Sequence, residues 1–299
     1  MSRVILSLVL MLPLMTSAEL HITIIQGLDG TSDYAQQFSE QARRVNIASE
    51  SVTQNPLIRY FSGEDATRES ILDHFSQLAS TMTHEDRIAV FLIGHGSYDG
   101  FEYKFNIPGP DITGKHIKDV MNALPAKVQL LVNTSSASGA INEQLKNEDR
   151  VVITATRNGN ERLATRFGAY FFEAIENSAA DINKNNAITV KEAFDYAERM
   201  VTDYFEDQGQ LATEHPQLSG DYAGQFVIAR LLRDRTEDEN PELTKFLTER
   251  GEIDIKIEEL QLKKGELLQD EFLSQLQILM IDLSTVQEKI DQISGENQE

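Results

Sequence analysis

No cysteine occurs anywhere in the 299 residues. That one absence excludes disulfides, thiolate metal sites, a cysteine nucleophile and a lipidated N-terminal cysteine together. Positive charge is also scarce: 27 Lys and Arg stand against 48 Asp and Glu, a formal net charge of −21. A field of that sign repels phosphate backbones, so no nucleic-acid partner is expected. No apolar run after the first segment approaches the roughly 20 residues that span a bilayer, so no transmembrane span is expected in the mature chain. What is present is an ordinary 40% of hydrophobic residues, which argues for a folded chain.

Residues 1–18 read as a secretory signal peptide. Arg3 lies in a short n-region, an apolar run covers residues 4–15, and Thr16, Ser17 and Ala18 are small residues before a cleavage point. The mature protein is therefore expected to begin near Glu19 and to be exported, periplasmic or extracellular. Export usually permits disulfides, and without cysteine the stability must come from packing.

Short apolar runs at residues 21–25, 88–93, 128–132 and 151–156 are rich in Val, Ile and Leu. Continuous apolar strands suit a sheet covered on both faces, hence a mostly parallel one. Between them, residues 34–48, 66–79, 117–124, 164–175 and 190–205 place apolar side chains at helical spacings of three and four. This alternation predicts an α/β three-layer sandwich over residues 19–235. A charged stretch with Pro241 follows, and residues 236–299 read as an acidic linker and a helical extension. Phe272, Leu276, Leu279, Leu283, Val286, Ile290 and Ile293 keep a 4-3-4-3-4-3 spacing, the apolar seam of a coiled coil. Ile253, Ile257 and Leu260 share the rhythm, and Lys263, Lys264 and Gly265 interrupt it. One bent helix and an antiparallel hairpin both fit, and the seam of 253–293 can dock on the core or support self-association.

Two segments could carry chemistry. In the first, an apolar strand runs into Gly94-His95-Gly96-Ser97, which puts His95 at the carboxyl end of a strand, where ligands of α/β sheets bind. In the second, residues 130–132 open into Asn133-Thr134-Ser135-Ser136-Ala137-Ser138-Gly139 and a helix expected from Ala140. A strand-to-helix junction of this kind can hold a nucleophile near a helix N-terminus; small residues are equally common as turns and caps.

The pair of segments, with one helix between them, resembles the legumain-like cysteine peptidases of the caspase–haemoglobinase fold, whose histidine sits in His-Gly-Ser after one strand and whose nucleophile follows the next in Glu-Ala-Cys-x-Ser-Gly. His95-Gly96-Ser97 and Ser138-Gly139 match those motifs, and the likeness extends over residues 20–232. It implies that fold and a peptide or protein ligand. The chain departs from it at two positions. The cysteine falls on Ser136, and the glutamate that helps line the specificity pocket falls on Thr134. A serine hydroxyl is far less acidic than a thiol and needs a well-placed base, usually oriented by a third group, and no third residue is identifiable. Asp99 reads as part of a turn.

Three readings stay open: a pseudo-peptidase binding through a retained His95/Ser136 cleft; an active hydrolase with Ser136 as nucleophile, His95 as base and the Gly96 N–H in an oxyanion hole; and a coiled-coil assembly protein with an α/β head. His215, in a polar loop leading to a strand at 226–229, is a candidate for the substrate side of the cleft. His21, His74, His84 and His116 stand in ordinary contexts, and their spacing gives no zinc signature.

Residues 181–192 match a twelve-residue EF-hand loop at positions one, three, five and twelve. Asp181, Asn183 and Asn185 would offer side-chain oxygens, Ala187 its carbonyl and Glu192 a bidentate carboxylate, with Asn186 where glycine is usual. Structural Ca²⁺ is one expectation, of modest affinity with two carboxylates. An Asx-rich loop closed by a Thr189–Glu192 capping box is the other.

Overall fold

A computed structural model describes residues 18–53, 56–231 and 241–296. Residues 1–17 of the expected signal segment and the expected domain boundary at 235/236 lie outside the described residues. In chain order the elements are β1 (Leu20–Gln26), α1 (Ser32–Val52), β2 (Leu57–Phe61), α2 (Arg68–Thr81), β3 (Arg87–Ile93), β4 (Gly96–Tyr98), β5 (Tyr103–Phe105), β6 (Ile112–Thr113), α3 (Gly114–Ala123), β7 (Val128–Asn133), α4 (Asn142–Leu145), β8 (Arg150–Thr154), α5 (Phe167–Ala174), β9 (Ala187–Thr189), α6 (Val190–Asp207), β10 (Gln217–Ser219), β11 (Val227–Arg230), α7 (Pro241–Leu262) and α8 (Gln269–Glu296).

The central sheet runs β10-β8-β7-β3-β1-β2. Every pair in it is parallel except β10 on β8. Its four inner strands are the four apolar runs of the sequence, and they are buried from both sides because alternate side chains serve two cores. Ile22, Ile24, Phe91 and Val132 point to a cluster with Phe38 and Val45 of α1, Phe171 and Phe172 of α5 and Phe194 of α6. Ile25, Val90, Leu92 and Leu131 point the other way, to Ile71 and Phe75 of α2 and Ile117 and Met121 of α3. The architecture is thus the expected three-layer sandwich. Removing one of the buried phenylalanine rings would cost about 3–5 kcal/mol.

Threonines start four of the helices. Thr31, Thr67, Thr113 and Thr189 each accept a backbone N–H of the first turn of the helix that follows, worth about 1 kcal/mol apiece. Two helix starts and one strand pairing differ from the sequence expectation. The helix expected from Ala140 begins as a 3-10 turn over Ser138–Ile141 before the single turn of α4. The helix expected from residue 164 starts at Phe167, because residues 155–166 form a loop over the sheet edge. The strand expected at 226–229 is β11, and it pairs with β9 outside the central sheet.

The C-terminal seam closes on its own chain. Leu243, Phe246 and Ile253 of α7 form a small core with Val286 and Ile290 of α8. Lys289 lies 4.9 Å from the Phe246 ring centroid, and Lys264 of the connecting turn 5.8 Å from that of Phe272, so the two helices run antiparallel. Of the two arrangements the heptads allowed, the hairpin is the one formed. An ion pair from Lys127 to Glu266 ties its turn to the α/β domain. No described helix is long and apolar enough to cross a membrane.

Candidate active site

β3 and β7 end side by side, with Leu92 opposite Asn133. The Thr134 N–H and its Oγ1–H both donate to the Leu92 carbonyl at 3.1 Å, which fixes how the chain leaves the sheet after β7. His95 leaves β3 at the same edge. A Cβ on Gly96 would sit 2.5 Å from Ser135 Oγ and 2.6 Å from the Ser136 carbonyl, so only glycine lets the histidine turn lie against the serine turn.

Backbone geometry at the second turn is unusual. Ala137, directly after Ser136, has φ 57° and ψ 10°, a left-handed conformation in a fully buried non-glycine residue. Such a residue carries of order 1–3 kcal/mol of strain, which the surroundings must hold in place. Its N–H donates to the Glu161 carbonyl at 2.8 Å. Beneath it, the buried Tyr103 hydroxyl lies 2.6 Å from Ser135 Oγ, and Asn133 Nδ2 donates to it at 2.9 Å. Burial pushes the Tyr103 phenol up to about 12, against the pull of those hydrogen bonds.

His95 is oriented by a group the sequence did not disclose. Its Nε2 lies 3.1 Å from the carbonyl oxygen of Asp29, in the loop after β1. A carbonyl can only accept, so Nε2 carries the hydrogen and the neutral ring keeps its lone pair on Nδ1. Tyr34 and Phe38 of α1 meet the imidazole edge-on at centroid distances of 4.6 and 5.2 Å. The Ser136 hydroxyl, by contrast, donates to the Leu163 carbonyl at 2.8 Å.

His95, Ser136 and Thr134 line one small pocket, with Tyr34, Gln37, Phe38, Gln41, Ala164, Thr165 and Gly168. No acidic or lysine/arginine side chain lines it. Thr134 sits where the resemblance placed a glutamate, and its own hydroxyl is turned onto Leu92. The glycine-flanked histidine, the strained serine turn and their shared pocket put the matched motifs at the carboxyl ends of adjacent strands.

A profile of the peptidase C13 family matches residues 32–225, well over half of the chain and including both motifs. The chain belongs to the peptidase C13 family, the legumain family. A crystal structure of a protein from Geobacter sulfurreducens resembles this C13 member with a TM-score of 0.47 at 11% identity, over 71% of this chain and 99% of that one. No curated protein matches.

The other candidate residues fall elsewhere in the C13 domain. His215 does not line the pocket of His95 and Ser136. It borders a separate, larger depression with Arg157, Phe205, Glu206 and Leu211. The Glu161 carboxylate holds it there, through Nδ1 at 2.6 Å and through its N–H at 3.1 Å. The 181–192 loop lies apart again, before α6. Asp181 takes the N–H groups of Asn185 and Asn186 at 3.1 and 2.8 Å, and Asn183 and Asn185 accept backbone N–H groups within the loop at 3.0 and 2.8 Å. Asn186 has φ 61°, the left-handed conformation expected of a glycine substitute. Ala187 is the first residue of β9. Glu192 Oε2 accepts from the Thr189 N–H at 3.0 Å and its hydroxyl at 2.8 Å, so the capping box is formed.

Sequence reasoning missed Asp29, Gln41, Glu161 and Leu163. The Leu-Asp-Gly run after β1 was a readable sign of a loop at the same sheet edge. Gln41, Glu161 and Leu163 carried no signal, because an ordinary helix face and a polar loop look alike in sequence wherever they lie.

Proposed function

We propose that this C13 member is an exported pseudo-peptidase that binds a segment of peptide or protein in the pocket between His95 and Ser136. The observation that carries the reading is the Ser136–Leu163 hydrogen bond at 2.8 Å. A serine nucleophile must pass its proton to a base during attack, and here the hydroxyl points its hydrogen at a carbonyl of the covering loop. A pocket lined by tyrosine, phenylalanine, glutamine and threonine side chains suits a neutral stretch of polypeptide that brings its own backbone hydrogen-bonding groups. Export rests on the N-terminal sequence pattern.

Hydrolysis of a peptide library by the full chain, beside Ser136→Ala, Ser136→Cys and His95→Ala, tests this. The expected result is no cleavage by the native chain. Cleavage that appears only in Ser136→Cys supports an intact cleft without turnover. Cleavage by the native chain that is lost in both Ser136→Ala and His95→Ala sinks the reading. That outcome belongs to the second reading, a serine hydrolase, which one observation favours: the Asp29 carbonyl already holds His95 in the tautomer whose Nδ1 can accept a proton.

For the 181–192 loop we propose a structural Ca²⁺ ion held by Asp181, Asn183, Asn185, the Ala187 carbonyl and Glu192. The left-handed Asn186 and the inward-turned Asx side chains support it, and the Thr189–Glu192 capping box is the competing use of the last carboxylate.

A further inference from the structure

At the opposite end of β1 from Asp29, the tertiary structure gathers three groups that the sequence holds apart. Glu19 and His21 are two residues apart around the first residue of β1, so their side chains share a face of the strand. Asp86 directly precedes β3, whose Arg87 is registered with Leu20. One ligand atom from each of Glu19, His21 and Asp86 lies within 4.8 Å of the other two.

The histidine is the telling member. His21 is 7% exposed, and its Nε2 is buried with no hydrogen-bond partner. The Glu19 carboxylate is 3.7 Å away, beyond hydrogen-bond reach. A buried ring nitrogen without a partner costs about 1–3 kcal/mol and is rare in folded proteins. His74, the next histidine on this face, is already engaged at 3.0 Å with Thr23 Oγ1. Asp86 is itself buried and braced, its Oδ1 accepting the Glu19 N–H at 2.8 Å and its Oδ2 the Thr83 N–H and hydroxyl at 2.6 and 3.0 Å. Glu19 is exposed.

We propose that Glu19, His21 and Asp86 bind a divalent first-row transition metal ion. One imidazole nitrogen and two carboxylates form a nitrogen–oxygen donor set of the kind Zn²⁺ accepts, with bonds of about 2.0–2.2 Å. Ligand atoms around such an ion are about 3.3 Å apart; Glu19 already stands 3.7 Å from His21 Nε2, and all three ligand atoms lie within 4.8 Å of one another. The ion completes the coordination of His21 Nε2 and leaves at least one position for water. It clips the first residues of β1 to the turn before β3 and supplies a cross-link to a chain that has no disulfide. The seven residues of β1, about 20 Å of extended strand, separate it from the loop that holds His95. The site is therefore structural and independent of what the His95 pocket does.

Titration calorimetry of the full chain, stripped of metal with EDTA and dialysed, tests the proposal with Zn²⁺ as the probe. The expected result is one saturable equivalent, weakened at least about tenfold in Glu19→Gln and in His21→Gln, and unchanged in His84→Gln, which removes a surface histidine. Glu19 is exposed, so Glu19→Gln folds even if His21→Gln does not. Visible d–d bands of Co²⁺ in the native chain, lost in Glu19→Gln, would support the same site. No saturable binding, or binding that both variants leave intact, overturns it.

Discussion

The Ser136 hydroxyl donates to the Leu163 carbonyl at 2.8 Å, so the residue at the nucleophile position is engaged by the loop after β8. That loop is fastened along its length. Its Glu161 carbonyl takes the Ala137 N–H at 2.8 Å, and Thr165 Oγ1 donates to the Thr134 carbonyl at 2.6 Å. The Glu161 carboxylate reaches on to His215. The serine turn, the pocket wall and the 211–217 segment are thus one connected unit.

Replacing Ser136 with alanine removes one neutral hydrogen bond at a buried position. The expected cost is about 0.5–1.5 kcal/mol, read from urea unfolding, with the fold intact by circular dichroism. A loss several times larger would mean that the loop depends on Ser136 more than this single bond allows.

Ala137 tests the strain at the turn. A β-branched side chain in the left-handed region is strongly disfavoured, and Ala137 is fully buried. Ala137→Val should therefore destabilise by about 2–4 kcal/mol in the same unfolding measurement. A neutral outcome would show that the turn does not hold φ near 57° in solution.

The network below the turn predicts behaviour in alkali. Burial raises the Tyr103 phenol to about 12, above the usual value near 10. The folded state keeps its proton where the unfolded chain has lost it. This contribution is complete below about pH 10 and is lost as the pH climbs from there toward about 12. Tyr103→Phe should flatten that part of the stability profile. At neutral pH the same variant should cost about 1–3 kcal/mol, because Ser135 and Asn133 lose their shared partner.

His74 predicts the acid side. Burial first, then the charges of Arg59 and His21, lower its pKa to about 4. The native state holds the neutral ring that the unfolded chain protonates near 6.5. Stability from this group is present above about pH 6.5 and is lost as the pH falls toward 4. Melting temperatures across that range should drop less steeply in His74→Gln than in the native chain; parallel curves would remove His74 as a cause.

Two expectations read from local patterns need solution tests. Millimolar Ca²⁺ should raise the melting temperature, and Glu192→Ala should abolish the rise; no shift in the native chain leaves the capping box as the whole role of Glu192. The heptad seam is covered by α7, so light scattering should give the mass of a single chain. A larger mass that Ile281→Glu reduces would assign self-association to the exposed apolar residues of α8, among them Leu273, Ile278 and Ile281.

The sequence by itself determined the layers of the α/β domain, the four inner strands and the placing of His95 and Ser136 at strand ends. Those features are written in periods of two and three to four residues, and local backbone geometry reads them directly. It also placed the two C-terminal helices but left open whether they fold back, since a heptad seam accepts any complementary partner; α7 is that partner because a short turn at residues 263–266 returns α8 alongside it. What only the tertiary structure decided are contacts between residues far apart in the chain: His95 with Asp29 across 66 positions, Ser136 with Leu163 across 27, and Glu19 with Asp86 across 67. No periodicity encodes such pairs. They arise because parallel crossover connections bring the same end of each parallel strand to one edge of the sheet, gathering a histidine, its orienting carbonyl and a serine turn at one edge, and an unpartnered histidine and two carboxylates at the other.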